Sequence, residues 1–209
     1  MAFNNDEFAL ARPYLFHLTH RKNLPNIKSQ VELLCAETIM RLARNTEYLR
    51  QKRCHSLELP FGSTIFHVRD QAPLHGGNIA FEGKWKLEDL IQSLNEKVFF
   101  WPGTESGPNS YGQRHFARYA NENPVILKIS TGDLFRTNSS VSPLYCRFNS
   151  GSPRWSRGLA SKRGPHTFID SAKAPFGIRN VVEVTFVGKI KLPKGVQVGD
   201  VKCQKWVLL

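Results

Sequence analysis

The sequence lacks the short motifs by which many nucleotide-binding proteins and hydrolases are identified. Its 209 residues contain no GxGxxG or GxxxxGK[ST] phosphate loop, no GxSxG elbow and no HExxH pair. These absences exclude the usual Rossmann, P-loop, serine hydrolase and zinc protease signatures. Any functional site must therefore be assembled from residues outside these motifs.

Cysteine is scarce, and its spacing argues against a metal centre. The four cysteines, at positions 35, 54, 146 and 203, form no CxxC pair, which disfavours a zinc site. A disulfide framework is also not expected in a domain of this size. We therefore expect reduced thiols and no bound metal.

Long apolar runs are missing as well. No stretch approaches the roughly 20 apolar residues that a helix needs to span a bilayer. The N-terminal stretch carries two acids, Asp6 and Glu7, and no sustained apolar core, so it is a poor signal peptide. The sequence therefore predicts a soluble, cytoplasmic protein that does not associate with a membrane.

Acidic residues are few, and one long segment has none. The chain has 29 Lys and Arg against 17 Asp and Glu, a net charge of +12, and residues 134–169 contain no acid. Phosphates attract such cations and nucleobases stack on aromatic rings, so we predict a basic loop at 136–164 that binds nucleic acid. Its expected contacts are Arg147, Arg154, Trp155, Arg157, Lys162 and Arg163. The alternative is a solvated loop in a generally basic protein.

Hydrophobic periodicity predicts an α+β fold in a single domain over residues 1–209, with residues 1–12 as an N-terminal extension. Apolar residues recur at helical spacing within four segments, 23–30, 36–53, 84–97 and 111–122. Strand-like segments lie at 14–20, 63–68, 98–102, 125–130, 181–187 and 202–209. The order of these elements is irregular, unlike the strict alternation of a parallel α/β sheet.

The stretch "YLFHLTHRKNLPNI", residues 14–27, places polar residues in an apolar strand. His17 and Thr19 are two residues apart, so they share one face of the strand, while Phe16 and Leu18 share the other. Asn23 follows at the start of the predicted helix. A neutral imidazole beside a hydroxyl can bind a ribose diol or an amide. The alternative is a hydrogen-bonded core histidine.

Two charged residues follow or interrupt other strands. Arg69, in "FHVRDQAPL", comes at a strand end, where a guanidinium can clamp a phosphate; the alternative is a surface pair with Asp70. Glu183, in "NVVEVTFVGKIKLP", is a lone acid in a β-branched strand. Burying a carboxylate is costly without a partner, so Glu183 is either functional or half exposed at a sheet edge.

Together these segments resemble the DarT-like DNA ADP-ribosyltransferase toxins. In that family a strand with His-x-Thr, followed by Asn, opens the NAD pocket, as in "YLFHLTHRKN" here. "IFHVRDQAPL" is similar to the family's strand with an arginine and a proline turn, and "VVEVTFVGKIKLP" to its strand with the catalytic glutamate. Over residues 14–205 the chain also resembles an uncharacterised bacterial domain family, through "VRDQAPL", "LNEKVFFWPG" and "FNSG".

The resemblance implies a fold and a set of roles. The fold would be an ADP-ribosyltransferase-like split mixed β-sheet with flanking helices. NAD would be the co-substrate, and the residues implied to bind it are His17, Leu18, Thr19, Asn23 and Phe100. Glu183 would face the positive charge that develops on the ribose, and Arg69 would hold the pyrophosphate or the acceptor. Asn23 would cap the following helix or bond the NAD, and Phe100 would stack on nicotinamide.

The function implied is mono-ADP-ribosylation of nucleic acid, with single-stranded DNA favoured over RNA, by a toxin or defence effector. An antitoxin protein is a further candidate partner. Two alternatives remain open from the sequence. One is an inactive, basic nucleic-acid-binding protein on the same scaffold, and the other is an ADP-ribosyltransferase that modifies protein.

Overall fold

The computed structural model describes residues 2–203 and 205–209. Its α-helices are Asn5–Ala11 (α1), Leu24–Gln30 (α2), Ala36–Leu42 (α3), Leu87–Asn95 (α4), Ser110–Arg118 (α5) and Thr131–Thr137 (α6). Its strands are Tyr14–His20 (β1), Glu32–Leu34 (β2), Leu57–Phe61 (β3), Thr64–Val68 (β4), Ile79–Phe81 (β5), Lys97–Thr104 (β6), Gly107–Pro108 (β7), Pro124–Ser130 (β8), Leu144–Cys146 (β9), Trp155–Ser156 (β10), Leu159–Arg163 (β11), Ile169–Asp170 (β12), Glu183–Val187 (β13), Lys189–Lys191 (β14), Gln197–Gly199 (β15) and Trp206–Leu208 (β16). None of the helices in these described ranges is long and apolar enough to cross a membrane.

One large sheet organises the domain. Its strand order is β12-β9-β13-β6-β1-β8-β15-β16, with β7 paired to β6, and its described ladders are antiparallel. A smaller sheet of β10, β11 and β5 contains a parallel ladder, and β2/β14 and β3/β4 form two-stranded sheets. The predicted α+β class is therefore confirmed, with a mixed, mostly antiparallel arrangement flanked by helices.

The large sheet splits in its middle, between β1 and β6. The two strands pair over only three positions, the last of which joins Phe16 to Trp101. Strand β1 stays paired to β8 along its whole length, whereas the first half of β6, Lys97 to Phe100, pairs with β13. Beyond Phe16 the edge of β1 that faces β6 is therefore open.

Two apolar layers cover the two faces of the sheet. Leu15 packs in one cluster with residues of α1 and α6, and Phe16 and Leu18 pack in another with residues of α5. The alternation predicted for β1 is therefore confirmed. It leaves the polar positions 17 and 19 near the open edge, where the strand has no neighbour from β6.

The N-terminal segment contributes side chains to the main apolar cluster. Helix α1 begins with a capping box formed by Asn4 and Glu7. Phe3 and Phe8 are buried against Tyr145, with Phe8 and Tyr145 ring centroids 4.9 Å apart. The aromatic side chains of this segment therefore complete the main cluster.

The segment predicted as a basic loop contains regular structure. Strand β9 pairs with β13 in the large sheet, and β10 and β11 form a hairpin in the smaller one. Periodicity did not reveal these strands because they are only two to five residues long. Residues 136–164 are therefore anchored at several points, and only parts of the segment are irregular.

Other predicted elements are present with different ends. The helix predicted for 36–53 ends at Leu42, and Arg44 has a left-handed φ of 55° that cannot continue a helix. Only a short 3-10 turn, Glu47–Leu49, follows it. The final strand, predicted for 202–209, covers Trp206–Leu208, and residue 204 lies outside the described residues.

Replacing Phe8 by alanine should destabilise the whole domain. The ring is 0% exposed, and removing a buried aromatic ring lowers the free energy of unfolding by about 3–5 kcal/mol. Leu10→Ala on the same helix is the matched control, because Leu10 is 84% exposed and should change stability by less than about 0.5 kcal/mol. Urea denaturation measures both, and equal stabilities of the two variants would contradict the packing described.

Candidate functional site

A cavity of about 250 Å³ lies where β1 and β6 separate. Segments distant in sequence form its walls: β1, β4 and the residues after it, β6, α5, the loop after β9 and the start of β13. Its polar and aromatic lining includes His17, Thr19, His20, Asn23, Arg53, His67, Arg69, Phe99, Trp101, His115, Tyr119, Ser150 and Glu183.

His17 bridges the gap between the separated strands. Its Nδ1 lies 2.8 Å from the carbonyl oxygen of Phe99, and because a carbonyl only accepts, Nδ1 carries the proton. The Nε2 atom is then an acceptor without a proton. Burial lowers the pKa of His17 to about 4, so the ring is neutral at pH 7. This arrangement suits a ligand hydroxyl that donates to Nε2.

Asn23 ties β1 to β4 and does not have the capping role that was one of the two expected for it. Its Nδ2 donates to Thr19 Oγ1 at 3.0 Å and to the His67 carbonyl at 2.9 Å, while its Oδ1 accepts from the His67 amide at 2.8 Å. The side chain makes no capping bond to α2. These bonds use both protons of the Asn23 amide. The Thr19 hydroxyl accepts one of them, so its own proton is available to a ligand.

Arg69 has no carboxylate partner among the described residues. Its guanidinium carbon lies 4.4 Å from the centre of the Tyr119 ring. Burial lowers its pKa, although Tyr119, Glu122 and Asp70 oppose that shift. The Asp70 carboxylate instead accepts from the Ala72 amide and the Tyr119 hydroxyl. The surface Arg–Asp pair considered from the sequence is therefore not formed.

Glu183 is buried at the start of β13, with 2% of its surface exposed. The Ser150 hydroxyl donates to Oε2 at 2.6 Å, and the Ser150 amide lies 3.2 Å from both carboxylate oxygens. Burial raises the pKa of Glu183 to about 7, against the opposing effects of Ser150 and the Arg163 charge. A carboxyl that titrates near neutrality can accept a proton during a reaction.

Four histidines line the cavity, and all are uncharged near neutrality. Burial lowers the pKa of His67 to about 4, as for His17, and also lowers the pKa of His20 and His115. The rings of His20 and His67 stack with centroids 3.9 Å apart. In the described part of the chain, no three or more His, Cys, Asp and Glu side chains are grouped as a metal site requires.

Several buried polar atoms in the cavity wall lack hydrogen-bond partners among the described residues. They are His67 Nδ1, Arg69 Nε and the indole nitrogen of Trp101. Buried polar groups are usually satisfied, so a cluster of exceptions calls for an explanation. Each of these atoms is covered by surrounding side chains, so a ligand would reach it only after those side chains move.

Phe100 does not reach the cavity. Its ring is fully buried in the main cluster, in edge-to-face contact with Phe186. Adjacent residues of a strand point to opposite faces, and it is Phe99 that lines the cavity. The assignment of Phe100 as a stacking residue is therefore wrong by one position. Leu18, the remaining predicted NAD contact, lies in the cavity wall and packs in the cluster near α5.

Arg163 is interior, unlike the other basic residues predicted to bind the substrate. It is 2% exposed, its Nη2 donates to the Asn149 carbonyl at 3.2 Å, and its guanidinium lies 4.5 Å from the Phe148 ring centre. It therefore supports the loop that carries Ser150 and is not a surface contact. The remaining predicted contacts are all exposed: Arg147, Arg154, Trp155, Arg157 and Lys162.

A second cavity, of about 600 Å³, adjoins the first. The two share His17, Thr19 and Asn23 as a common wall. The apolar part of the second cavity's lining includes Ile27, Leu33, Ile39, Phe61 and Phe66. Gln30, Thr38 and Ser63 add polar groups. The two cavities are therefore neighbours on either side of their common wall.

Sequence reasoning missed several residues of the wall. Ser150 lies within "FNSG", a stretch that the resemblance already singled out, so a signal for it existed. His67 stands two residues before Arg69 and shares its strand context. Arg53, by contrast, is one of 29 basic residues and carries no local sign of burial.

Residues 13–194 match the family of unknown function DUF7002, and the chain belongs to this family. No curated protein matches the chain at a significant level. The family match includes every residue of the cavity wall, from His17 to Glu183, and leaves out α1, β15 and β16. It brings no activity with it, so a function has to be argued from the site.

Removing the Ser150 hydroxyl should raise the pKa of Glu183 further. In Ser150→Ala the carboxylate loses its shortest hydrogen bond, so its protonated form is favoured above the wild-type value of about 7. Carbon-13 NMR of labelled glutamate carboxyls measures this pKa directly. Ser152→Ala is the matched control, because Ser152 lines the same cavity without a described contact to Glu183.

The pH dependence of stability follows from the same shift. The folded chain holds the Glu183 proton up to pH of about 7, while the unfolded chain releases it near the ordinary value of 4.5. This carboxyl therefore lowers the free energy of unfolding as pH rises through that window. In Ser150→Ala the free energy of unfolding should continue to fall up to a higher pH. A Glu183 pKa at its ordinary value in the wild type would contradict the burial described.

Proposed function

We propose that the protein is an NAD-dependent mono-ADP-ribosyltransferase that modifies nucleic acid, with single-stranded DNA favoured over RNA, as a toxin or defence effector. One observation carries the proposal. His17, Thr19, Arg69 and Glu183 come from three segments that span most of the chain, and all line one cavity at the split of the sheet. These are the segments whose sequences resemble such enzymes, and residues so far apart in the chain meet in one cavity only because the fold brings them there.

The dimensions and lining of the two cavities suit a dinucleotide. The nicotinamide and its ribose would occupy the first cavity, with a ribose hydroxyl donating to His17 Nε2. Phe99 would stack on the nicotinamide ring in place of Phe100. The ADP half would extend into the second cavity, whose aromatic and apolar walls suit an adenine ring. Arg69 would meet the pyrophosphate or the acceptor.

The proposed chemistry needs a carboxylate where Glu183 lies. The bond between the ribose C1′ and the nicotinamide nitrogen breaks, and its electron pair leaves with neutral nicotinamide. Positive charge then develops on the ribose, and the Glu183 carboxylate, which is buried, stabilises it. The acceptor attacks C1′ and gives its proton to Glu183, whose pKa of about 7 suits this exchange.

The β10–β11 hairpin is the proposed contact for the nucleic acid acceptor. The chain runs from Ser152 in the cavity wall to Arg154 and Trp155 within three residues. Trp155 is 57% exposed and offers a stacking surface, while Arg157 and Lys162 are exposed cations. A strand held on this hairpin would therefore lie next to the cavity mouth.

Glu183→Gln should abolish transfer and preserve binding. Glutamine keeps the size of the side chain but removes the negative charge, so the transfer rate should fall about 10²–10³-fold. NAD should still raise the Tm of the variant, because a ligand that binds only the folded chain stabilises it. Labelled NAD, incubated with separate DNA, RNA and protein pools, measures transfer and identifies the acceptor.

Glu88→Gln is the matched control, since Glu88 is exposed on α4 and the chemical change is the same. It should transfer at the wild-type rate. A folded Glu183→Gln variant that is as active as Glu88→Gln would refute the proposed mechanism. If only protein retained the label, the acceptor would be protein and not nucleic acid. If the wild type did not bind NAD, the alternative of an inactive nucleic-acid-binding protein would be favoured.

The hairpin should account for part of the salt dependence of single-strand binding. If Arg154, Arg157 and Lys162 contact phosphates, the slope of log affinity against log salt should be about −0.7 for each contact. The triple Gln variant should then flatten the slope by about two units. Fluorescence anisotropy with a labelled oligothymidylate, repeated over a range of salt concentrations, gives the slope.

A second triple variant separates local contact from net charge. Lys173, Arg179 and Lys194 are exposed elsewhere on the surface, and their replacement by Gln removes the same number of charges. This variant should keep the wild-type slope. Equal slopes for the two triple variants would mean that the hairpin is a solvated surface like any other.

A further inference from the structure

Arg53 is a buried cation in the wall of the first cavity, and nothing in the sequence singled it out. Only 5% of its surface is exposed. Its Nε donates to the Arg69 carbonyl at 2.9 Å and its Nη1 to Asn95 Oδ1 at 2.7 Å. These described bonds do not involve Nη2. The guanidinium is therefore fixed in place on one side, with donors left over for a ligand.

The frame around Arg53 is rigid and uncharged. Asn95 donates to the carbonyls of Tyr48 and Leu49, both at 3.0 Å, so its Oδ1 is oriented toward the arginine. Gln71 accepts from the Arg53 amide at 3.2 Å. All the partners are neutral amides or carbonyls, so they hold the guanidinium without balancing its charge.

No carboxylate lies within 4 Å of the Arg53, Arg69 or Lys97 cations in the described part of the chain. All three residues line the first cavity. The Lys97 ammonium is already hydrogen-bonded to Ser93, whose carbonyl and hydroxyl accept from Nζ at 2.8 and 3.1 Å. Arg53 and Arg69 are then the two cations left to meet an anion. They are adjacent, because Arg53 donates to the Arg69 carbonyl.

The acids of the cavity offset these charges only in part. The Asp70 carboxylate favours the charged forms of Arg53 and Arg69 without forming an ion pair with either. Glu183 is partly protonated near neutrality. Buried cations are retained where an anion is to be bound, because leaving them without a counter-charge is unfavourable. Arginine forks match the geometry of phosphate oxygens.

We propose that Arg53 and Arg69 together bind a phosphate group of the ligand that enters this cavity. Two sources share this chemistry. The pyrophosphate of NAD is one, and in that case the inference rests on the proposed function. A backbone phosphate of the nucleic acid acceptor is the other, which requires no NAD chemistry. In both cases Arg53 fixes the anion and Arg69 faces it from beside Tyr119.

Isothermal titration tests the site with three probes: inorganic pyrophosphate, ADP-ribose and a short oligothymidylate. The wild type should bind pyrophosphate, and Arg53→Met should weaken that binding about ten- to a hundredfold, the usual effect of losing charged hydrogen bonds. Arg53→Lys should bind with intermediate affinity, because it keeps the charge and loses the fork. If Arg53→Met fails to fold, the affinity of Arg53→Lys still tests the role of the guanidinium.

Arg50→Met is the matched control, since Arg50 lies on the surface in a pair with Asp89 and its loss changes the net charge equally. Weakening of ADP-ribose alone assigns the phosphate to NAD, and weakening of the oligonucleotide alone assigns it to the acceptor. A wild type that binds the oligonucleotide but not ADP-ribose would refute the NAD proposal, and the phosphate site would still be supported. Equal affinities of Arg53 and Arg50 variants for every probe would overturn it, as would a folded wild type that binds none of them.

Discussion

The hydrogen bond from His17 Nδ1 to the Phe99 carbonyl spans the point where β1 and β6 part, and the site is arranged around it. Opening a sheet in its middle leaves buried backbone groups without their ladder partners, and such groups must be satisfied in another way. The histidine supplies one of these partners. It also keeps the two halves of the sheet at a fixed separation, so that residues of β1, β6 and β13 face a common space.

The parts of this arrangement that follow from strand periodicity were predictable from the sequence. The shared face of His17 and Thr19 and the α+β class are of this kind. Phe99 and Phe100 show the limit of such reasoning, because both are aromatic and only the register of β6 decides which one is in the core. Ser150 could be found only by resemblance, since a serine in a polar loop has no pattern of its own.

Charge patterns were the least reliable guide, because the same residue type serves opposite purposes here. Arg163 and Lys162 are neighbours in one basic segment, yet one supports a buried loop and the other is exposed. Arg53 and Arg50 differ in the same way. Burial depends on contacts with residues distant in sequence, such as Asn95 or Asn149, which local composition does not encode.

Strand β11 has a consequence for how the protein can change over evolutionary time. Its alternation sends Lys162 outward and Arg163 inward, toward the loop that holds Glu183. An insertion or deletion of one residue between the hairpin turn and Arg163 would exchange these places, since a slip of one position reverses every side chain of a strand. The burial of Arg163 therefore constrains the length of this hairpin arm.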